Sequence, residues 1–318
     1  ISGALESGKV AHAYLLCGTR GIGKTTIARI IASALGSSAN DIYEMDAASN
    51  RGIDDIRSIR DGVSTMPFDS KYKIYILDEV HMFTKDAWNA LLKTIEEPPA
   101  HVIFILATTE IAKVPETIVS RCQTFTLKKP TEAILSSVIT NVAKKEGYKL
   151  EEGSAELIAI LSDGAFRDAL GTLQKVISFS KGNVISLTDI EEVTGAPKTT
   201  LVNGFLEALA MRDLEKGFSV IEKATKQNID MAVFLKMILM KLRFALMIRY
   251  APNTKKSIEG LISTPDMEFI ESLIASKPEH ISSNSLSVLL DAYQSLKHSV
   301  INELPLELAL LKILNKDA

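Results

Sequence analysis

Eight residues near the start of the chain have the types and the spacing of a phosphate-binding loop. They are Gly18, Thr19, Arg20, Gly21, Ile22, Gly23, Lys24 and Thr25. The apolar run Ala13–Cys17 precedes them, and a helical pattern from Thr26 to Leu35 follows. Glycines allow backbone N–H groups to surround an anion, the helix N-terminus adds its positive dipole end, and Lys24 adds a mobile charge. We assign these eight residues and Thr26 to a nucleoside triphosphate, with the Thr25 hydroxyl expected on Mg²⁺.

Two adjacent acids follow the hydrophobic strand pattern Lys73–Leu77. In a phosphate-loop fold, the first acid, Asp78, orders Mg²⁺, and a second acid beside it, Glu79, polarises the attacking water. The alternative is a strand that simply ends in solvent. Paired with the glycine loop, Asp78 and Glu79 predict hydrolysis rather than passive nucleotide binding. His81 follows on the loop and receives no metal-ligand role, because a histidine there more often packs or caps.

Another buried strand pattern, Val102–Ala107, ends in the hydroxyls of Thr108 and Thr109. If this strand lies beside the strand before Asp78, a polar residue at its end can sense the terminal phosphate or hold the attacking water. The alternative is a threonine that caps the next segment. Both interpretations stay open from the residues alone.

Two arginines complete the set of candidates. Arg121 lies just before the last strand pattern, and Arg167 lies at a helix start further along the chain. Either is compatible with an ordinary surface ion pair. An arginine that reaches a terminal phosphate is worth about 10³–10⁵ in rate, so both are kept as catalytic candidates.

Strand and helix patterns alternate as far as residue 128 and then give way to helical patterns. The β-like runs are Ala13–Cys17, Ile42–Met45, Lys73–Leu77, Val102–Ala107 and Thr124–Leu127. Such alternation predicts a parallel α/β sheet that binds ligands at the carboxyl ends of its strands. After Pro130 the strand patterns stop. The expected architecture is an α/β domain over 1–128, a small helical domain over 129–197 and a larger helical domain over 198–318.

Composition limits the class of protein. The 318 residues are 46% hydrophobic and carry a net charge of −3, so no global basic field indicates a histone-like mode of nucleic-acid binding. Cys17 and Cys122 are expected to be buried, reduced thiols. The apolar stretch Met231–Tyr250 is interrupted by lysines and arginines at spacings that a membrane span does not tolerate. We therefore expect a soluble, cytoplasmic protein without a membrane partner.

Several further segments match one family in order and spacing. They are Ala11–Leu15, Asp46–Asn50, Asp54–Arg57, Asp78–Met82, Asn89–Pro99, Leu106–Thr109, Ser120–Cys122, Arg167–Leu170 and Leu304–Ala309. With the phosphate loop, they make the chain resemble the AAA+ ATPases and, more narrowly, the bacterial clamp-loader ATPase family of DNA polymerase III gamma/tau subunits. The match covers nearly the whole chain.

The resemblance implies an AAA+ phosphate-loop domain, a helical lid and a helical collar that holds a ring of five subunits together. It implies that Thr109 is a first sensor of ATP and that Arg167, from the lid, is a second. Arg121 would act in trans on ATP held by a neighbouring subunit. With Lys24, Asp78 and Glu79, these residues make up the expected catalytic set.

The resemblance also implies partners. These are the delta and delta prime subunits and further gamma/tau copies in a hetero-pentamer, together with the sliding clamp and primed template DNA. ATP binding would favour a spiral that opens the clamp and grips DNA, and hydrolysis would release both during replication by the polymerase III holoenzyme. Arg51 and Arg57 are the candidates for DNA phosphate contacts. The alternative is that they form a solvated helix face.

The sequence departs from the family pattern between Leu35 and Asp41. Family members commonly carry a four-cysteine zinc module there, whereas residues 36–40 contain no cysteine. No zinc site is therefore assigned. The chain begins at Ile1 and ends at Ala318, so we expect a segment before Ile1 that completes the adenine pocket and no tau-type extension here. Alternative functions are a branch-migration motor, a non-hydrolysing loader scaffold and, with less support, a small-molecule kinase.

Overall fold

The computed structural model describes residues 10–50, 52–258, 262–275 and 278–314, without the side chains of residues 256 and 257. It divides into two compact units. The first comprises Ile1–Pro130 with Ala165–Arg167, and the second comprises Thr131–Gly164 with Asp168–Ala318. The division into three domains stays a prediction.

The first unit is built on one parallel sheet. Its strands are β1 (Ala13–Cys17), β2 (Ile42–Asp46), β3 (Lys73–Asp78), β4 (Val102–Thr108) and β5 (Gln123–Thr126). Their order is β2-β3-β4-β1-β5, and every neighbouring pair is parallel. The predicted parallel sheet is confirmed, with ends shifted by a single residue in four strands. The register pairs Cys17 with Thr108 and Asp46 with Asp78, which brings the carboxyl ends of these strands to one edge.

Helices cover both faces of this sheet. They are α1 (Lys24–Ala34), α2 (Ile53–Val63), α3 (Lys85–Glu96) and the short α4 (Glu116–Val119). Because side chains alternate along a strand, Ile74 and Ile76 share a core with Ile31 of α1, whereas Tyr75 and Leu77 face the core that contains α2 and α3. Burial of both faces explains why the strand sequences are nearly continuous apolar runs.

The second unit is mainly helical. Its longer helices are α5 (Glu132–Lys145), α6 (Ser154–Leu161), α7 (Phe166–Phe179, whose first two residues belong to the first unit), α8 (Leu187–Thr194), α9 (Thr199–Met211), α10 (Leu214–Lys226), α11 (Met231–Tyr250), α13 (Thr264–Ala275), α14 (Ser283–Ser295) and α15 (Leu304–Leu314), with the four-residue α12 (Lys255–Ile258) after α11. The expectation that strands stop after Pro130 is wrong. Two parallel strands occur here, β6 (Lys149–Leu150) and β7 (Val184–Ile185). Two residues are too few to show a strand period in the sequence.

The long helix α11 has the bounds that the apolar stretch predicted. Lys241 is buried within it, and its ammonium donates to Oδ1 of Asn203 at 2.8 Å and pairs with Asp266. Among the described residues, no helix has the length and apolar character needed to cross a membrane.

Candidate functional site

The glycine loop between β1 and α1 adopts backbone conformations that side chains would disturb. Gly18 has φ +153°, and a Cβ there would lie 2.4 Å from Cδ1 of Ile22 and 2.8 Å from the carbonyl oxygen of Leu127. Gly21 has φ +76°, and a Cβ there would lie 2.9 Å from Cβ of Ala165. Glycine is therefore needed at both positions for the loop to hold its shape.

The loop leads directly into the first turn of α1. The first backbone hydrogen bond of the helix runs from the N–H of Ile27 to the carbonyl of Gly23 at 2.9 Å. The N–H groups of residues 24–26 precede it, and such first-turn groups have no intrahelical partner. Ile22 is buried, so its contribution to a phosphate is limited to the backbone, whereas the side chains of Thr19 and Arg20 are exposed.

Lys24 is buried inside the loop, with only 5% of its surface exposed. Its ammonium donates to the carbonyl oxygens of Gly18 at 3.1 Å and Thr19 at 3.2 Å. It lies 4.0 Å from Oε1 of Glu79. A buried ammonium needs such acceptors, and they keep the charge at the mouth of the loop.

Thr25 and Asp78 are in direct contact across the sheet edge. The Thr25 hydroxyl donates to Oδ2 of Asp78, and the other carboxylate oxygen accepts the N–H of Glu79 at 2.8 Å. A hydroxyl and a carboxylate side by side are hard oxygen donors of the kind that Mg²⁺ prefers. The two residues therefore fit the Mg²⁺ role predicted for them. The described part of the chain contains no cluster of three or more His, Cys, Asp or Glu side chains able to hold a metal ion.

Glu79 follows β3 in a left-handed conformation, with φ +50°. This conformation is costly for a side chain with a Cβ and is concentrated at functional sites. The hydroxyl of Thr109 donates to Oε2 of Glu79 at 3.2 Å, so the residue that follows β4 contributes to the position of this carboxylate. Thr108 instead accepts the N–H of Glu110 at 3.0 Å. The two hydroxyls therefore have different partners: Thr108 accepts a backbone N–H two residues on, and Thr109 contacts Glu79.

His81, expected from the sequence to pack or cap and not to bind metal, is a neighbour of Glu79. Its side chain is 9% exposed, with Nδ1 3.4 Å from Oε2 of Glu79 and Nε2 3.6 Å from Oε1 of Glu110. Nδ1 also lies 3.2 Å from the hydroxyl of Thr108. The imidazole therefore packs between two carboxylates, a position that depends on the loop conformation and leaves no signal in the residue order.

The two candidate arginines lie in different parts of the first unit. The backbone N–H of Arg167 donates to the carbonyl of Gly21 at 3.2 Å, which places Arg167 beside the phosphate loop. Arg121 lies between α4 and β5, and its guanidinium pairs with Glu96 at 2.7 Å. The structure therefore brings Arg167 to the loop, whereas Arg121 contacts a different set of residues.

The structure gives no support to the DNA-binding role of Arg57 and does not describe Arg51. Arg57 lies on α2 and pairs with Asp54, one turn earlier, at 2.8 Å. Arg51 lies outside the described residues. Their DNA role stays a prediction.

Burial affects both cysteines of the first unit. It raises the pKa of the Cys17 thiol, although the nearby Lys24 ammonium acts in the opposite direction. Burial, with a smaller contribution from Cys17, raises the pKa of Cys122 to about 12. Both thiols are free and are protonated near neutral pH.

Comparison with known proteins identifies the family. The DNA polymerase III subunit tau of Bacillus subtilis (strain 168) is 35% identical over 98% of this chain, which spans 59% of that protein. The DNA polymerase III subunit gamma of Buchnera aphidicola subsp. Baizongia pistaciae is 35% identical over 80% of this chain, and the match covers 74% of that protein. The chain belongs to the DNA polymerase III gamma/tau family. It spans about half the length of several gamma/tau relatives.

Two further comparisons concern part of the chain and its fold. A family model described as DNA polymerase III, delta subunit, matches residues 38–131. The RuvB Holliday junction branch migration motor of Thermotoga maritima shares the fold, with a TM-score of 0.52 and 23% identity over 65% of this chain and 71% of that one. The predicted AAA+ phosphate-loop fold is therefore confirmed for this gamma/tau chain.

Proposed function

We propose that this chain is an ATP-hydrolysing subunit of a bacterial clamp loader. The observation that carries the proposal is the convergence of three contacts at one edge of the sheet. Lys24 lies in the glycine loop, Thr25 contacts Asp78, and Thr109 contacts Glu79. A site that only held a nucleotide would not need a carboxylate positioned by the residue that follows a neighbouring strand.

Each residue of the site has its own proposed role in hydrolysis. The loop N–H groups and the Lys24 ammonium bind phosphate oxygens. Thr25 and Asp78 would hold Mg²⁺, which would neutralise negative charge on the phosphates. An oxygen of the Glu79 carboxylate accepts a proton from the attacking water, and the Thr109 hydroxyl keeps that carboxylate in place. Arg167, beside Gly21, is proposed to contact the same nucleotide.

Arg121 is proposed to serve a different site. In a ring of subunits, its guanidinium would stabilise the terminal phosphate of ATP bound by the neighbour. The other subunits would be further gamma/tau copies with delta and delta prime, and the ring would open a sliding clamp and load it onto primed DNA. The gamma/tau family membership supports this part of the proposal. Arg51 and Arg57 remain the proposed DNA phosphate contacts.

The rate of ATP hydrolysis by the reconstituted complex tests the proposal. It should rise when the clamp and primed DNA are added together, and less with either alone. Four-way branched DNA without the clamp provides the control for a branch-migration motor. A rate that responds only to the branched DNA, or to neither addition, would refute the clamp-loader function.

A further inference from the structure

Arg121 is held by contacts from two separate elements. Its Nη2 pairs with Oε1 of Glu96, the last residue of α3, at 2.7 Å. Its Nη1 donates to the carbonyl oxygen of Thr117 in α4 at 2.7 Å and to the hydroxyl of Ser120 at 3.3 Å. The guanidinium is therefore fixed on one edge by a carboxylate and on another by a backbone carbonyl.

These contacts leave part of the guanidinium accessible. The Arg121 side chain is 38% exposed and that of Glu96 is 35% exposed. A guanidinium has five N–H donors in a rigid planar fork, and the three contacts described account for three of them. Nε and one hydrogen of Nη2 are left over, so a fixed arginine can still donate to a phosphate.

We propose that Glu96 is a positioning residue for Arg121 in the hydrolysis of ATP bound by a neighbouring subunit. The proposal rests on the trans role of Arg121 in the proposed function. An unrestrained arginine has many rotamers, and an arginine that must reach across a subunit boundary loses that freedom when it binds phosphate. A contact between Glu96 and Arg121 that exists before the ring assembles removes much of this loss in advance.

Steady-state hydrolysis by the reconstituted ring tests this assignment. Glu96→Ala should lower kcat about tenfold with KM for ATP unchanged within about twofold, because a misplaced group slows the reaction without weakening substrate binding. Glu96→Gln keeps one acceptor oxygen for Nη2 and should lose less. Glu97→Ala, a change of the exposed next residue, is the matched control. Melting temperatures of all variants show whether the fold is intact.

A double-mutant cycle separates this inference from the proposed function. In an Arg121→Ala background, Glu96→Ala should cause no further fall in kcat. If Arg121→Ala itself leaves the rate of the ring unchanged, the trans role of Arg121 is wrong. If Arg121→Ala lowers the rate but Glu96→Ala leaves it unchanged or raises it, only the positioning role is wrong.

Mixed rings of wild-type and variant chains provide a measurement that a purely local structural role of Glu96 would not change. Chains with Glu79→Gln are expected not to hydrolyse their own ATP, yet their Arg121 still serves a neighbouring wild-type site. Adding Glu96→Ala to these Glu79→Gln chains should lower the hydrolysis that the wild-type chains still carry out. Unchanged hydrolysis in the mixed ring would overturn the inference.

Discussion

The hydroxyl of Thr109 lies 3.2 Å from Oε2 of Glu79, so the residue after β4 contacts the carboxylate after β3. The two strands are neighbours in the sheet, with Leu77 in register with Leu106. The position of the proposed base, Glu79, therefore depends on Thr109, which lies thirty residues later in the sequence.

Thr109→Val should lower the rate of ATP hydrolysis about 10- to 100-fold, because valine keeps the shape of threonine and removes a hydrogen bond to a carboxylate. The affinity for ATP should stay within a factor of about two. Stopped-flow nucleotide binding and single-turnover hydrolysis measure the two quantities separately. Thr124→Val, at an exposed position of β5, is the control, and an equal effect of both variants would contradict the role of Thr109.

Gly21→Ala should weaken ATP binding at least about tenfold, whereas Gly36→Ala should not affect it. The two glycines have nearly the same φ, +76° and +75°, so alanine meets a similar backbone penalty at each. Only at Gly21 would the added Cβ lie 2.9 Å from that of Ala165, whereas at Gly36 no atom lies within 4 Å. Isothermal titration with ATP compares the variants, and equal losses would show that the close approach to Ala165 has no consequence.

Much of the first unit could be predicted from sequence because its signals are local. The run that ends in Asp78 and Glu79 is a buried strand followed by two acids, and the glycine loop has a fixed spacing. The contact of Arg121 with Glu96 could not be predicted, since it joins the ends of two elements whose separation depends on tertiary packing. His81 packs as expected, but its two carboxylate neighbours, Glu79 and Glu110, could not be predicted for the same reason.

Asp41→Asn should destabilise the first unit near neutral pH. It should also make the stability of this unit less dependent on pH under acidic conditions. Burial acts to raise the pKa of Asp41, but hydrogen bonds from the backbone N–H groups of residues 68–70 outweigh it and lower the pKa to about 2. The carboxylate therefore stabilises the folded state above its ordinary pKa of about 4, and this stabilisation is lost as the pH falls toward about 2.

Thermal unfolding at a series of pH values measures this effect. The melting temperatures of wild type and Asp41→Asn should differ most above about pH 4 and converge as the pH approaches about 2. Asp69→Asn, in the exposed segment that donates to Asp41, is the control. A difference that is constant with pH would show that the charge of Asp41 contributes nothing.

Asp266→Ala should destabilise the second unit by about 3–5 kcal/mol, because it leaves the ammonium of Lys241 buried without its carboxylate. Lys241 is 7% exposed, and burial already lowers its pKa against the opposing effect of Asp266. Urea unfolding measures the loss. The double variant Lys241→Met with Asp266→Leu should recover most of it, and a double variant as unstable as Asp266→Ala would contradict this explanation.

Hydrolysis by Glu79→Gln in the reconstituted complex, with clamp and primed DNA, tests the central claim most directly. The amide keeps the size of the side chain but cannot accept the proton of the attacking water. A single turnover of bound ATP should therefore slow by about 10²–10⁴, with ATP binding unchanged. Glu116→Gln, at the exposed start of α4, should hydrolyse ATP at the wild-type rate. A Glu79→Gln complex that hydrolyses ATP as fast as the wild type would contradict the assignment of this site as the hydrolytic centre.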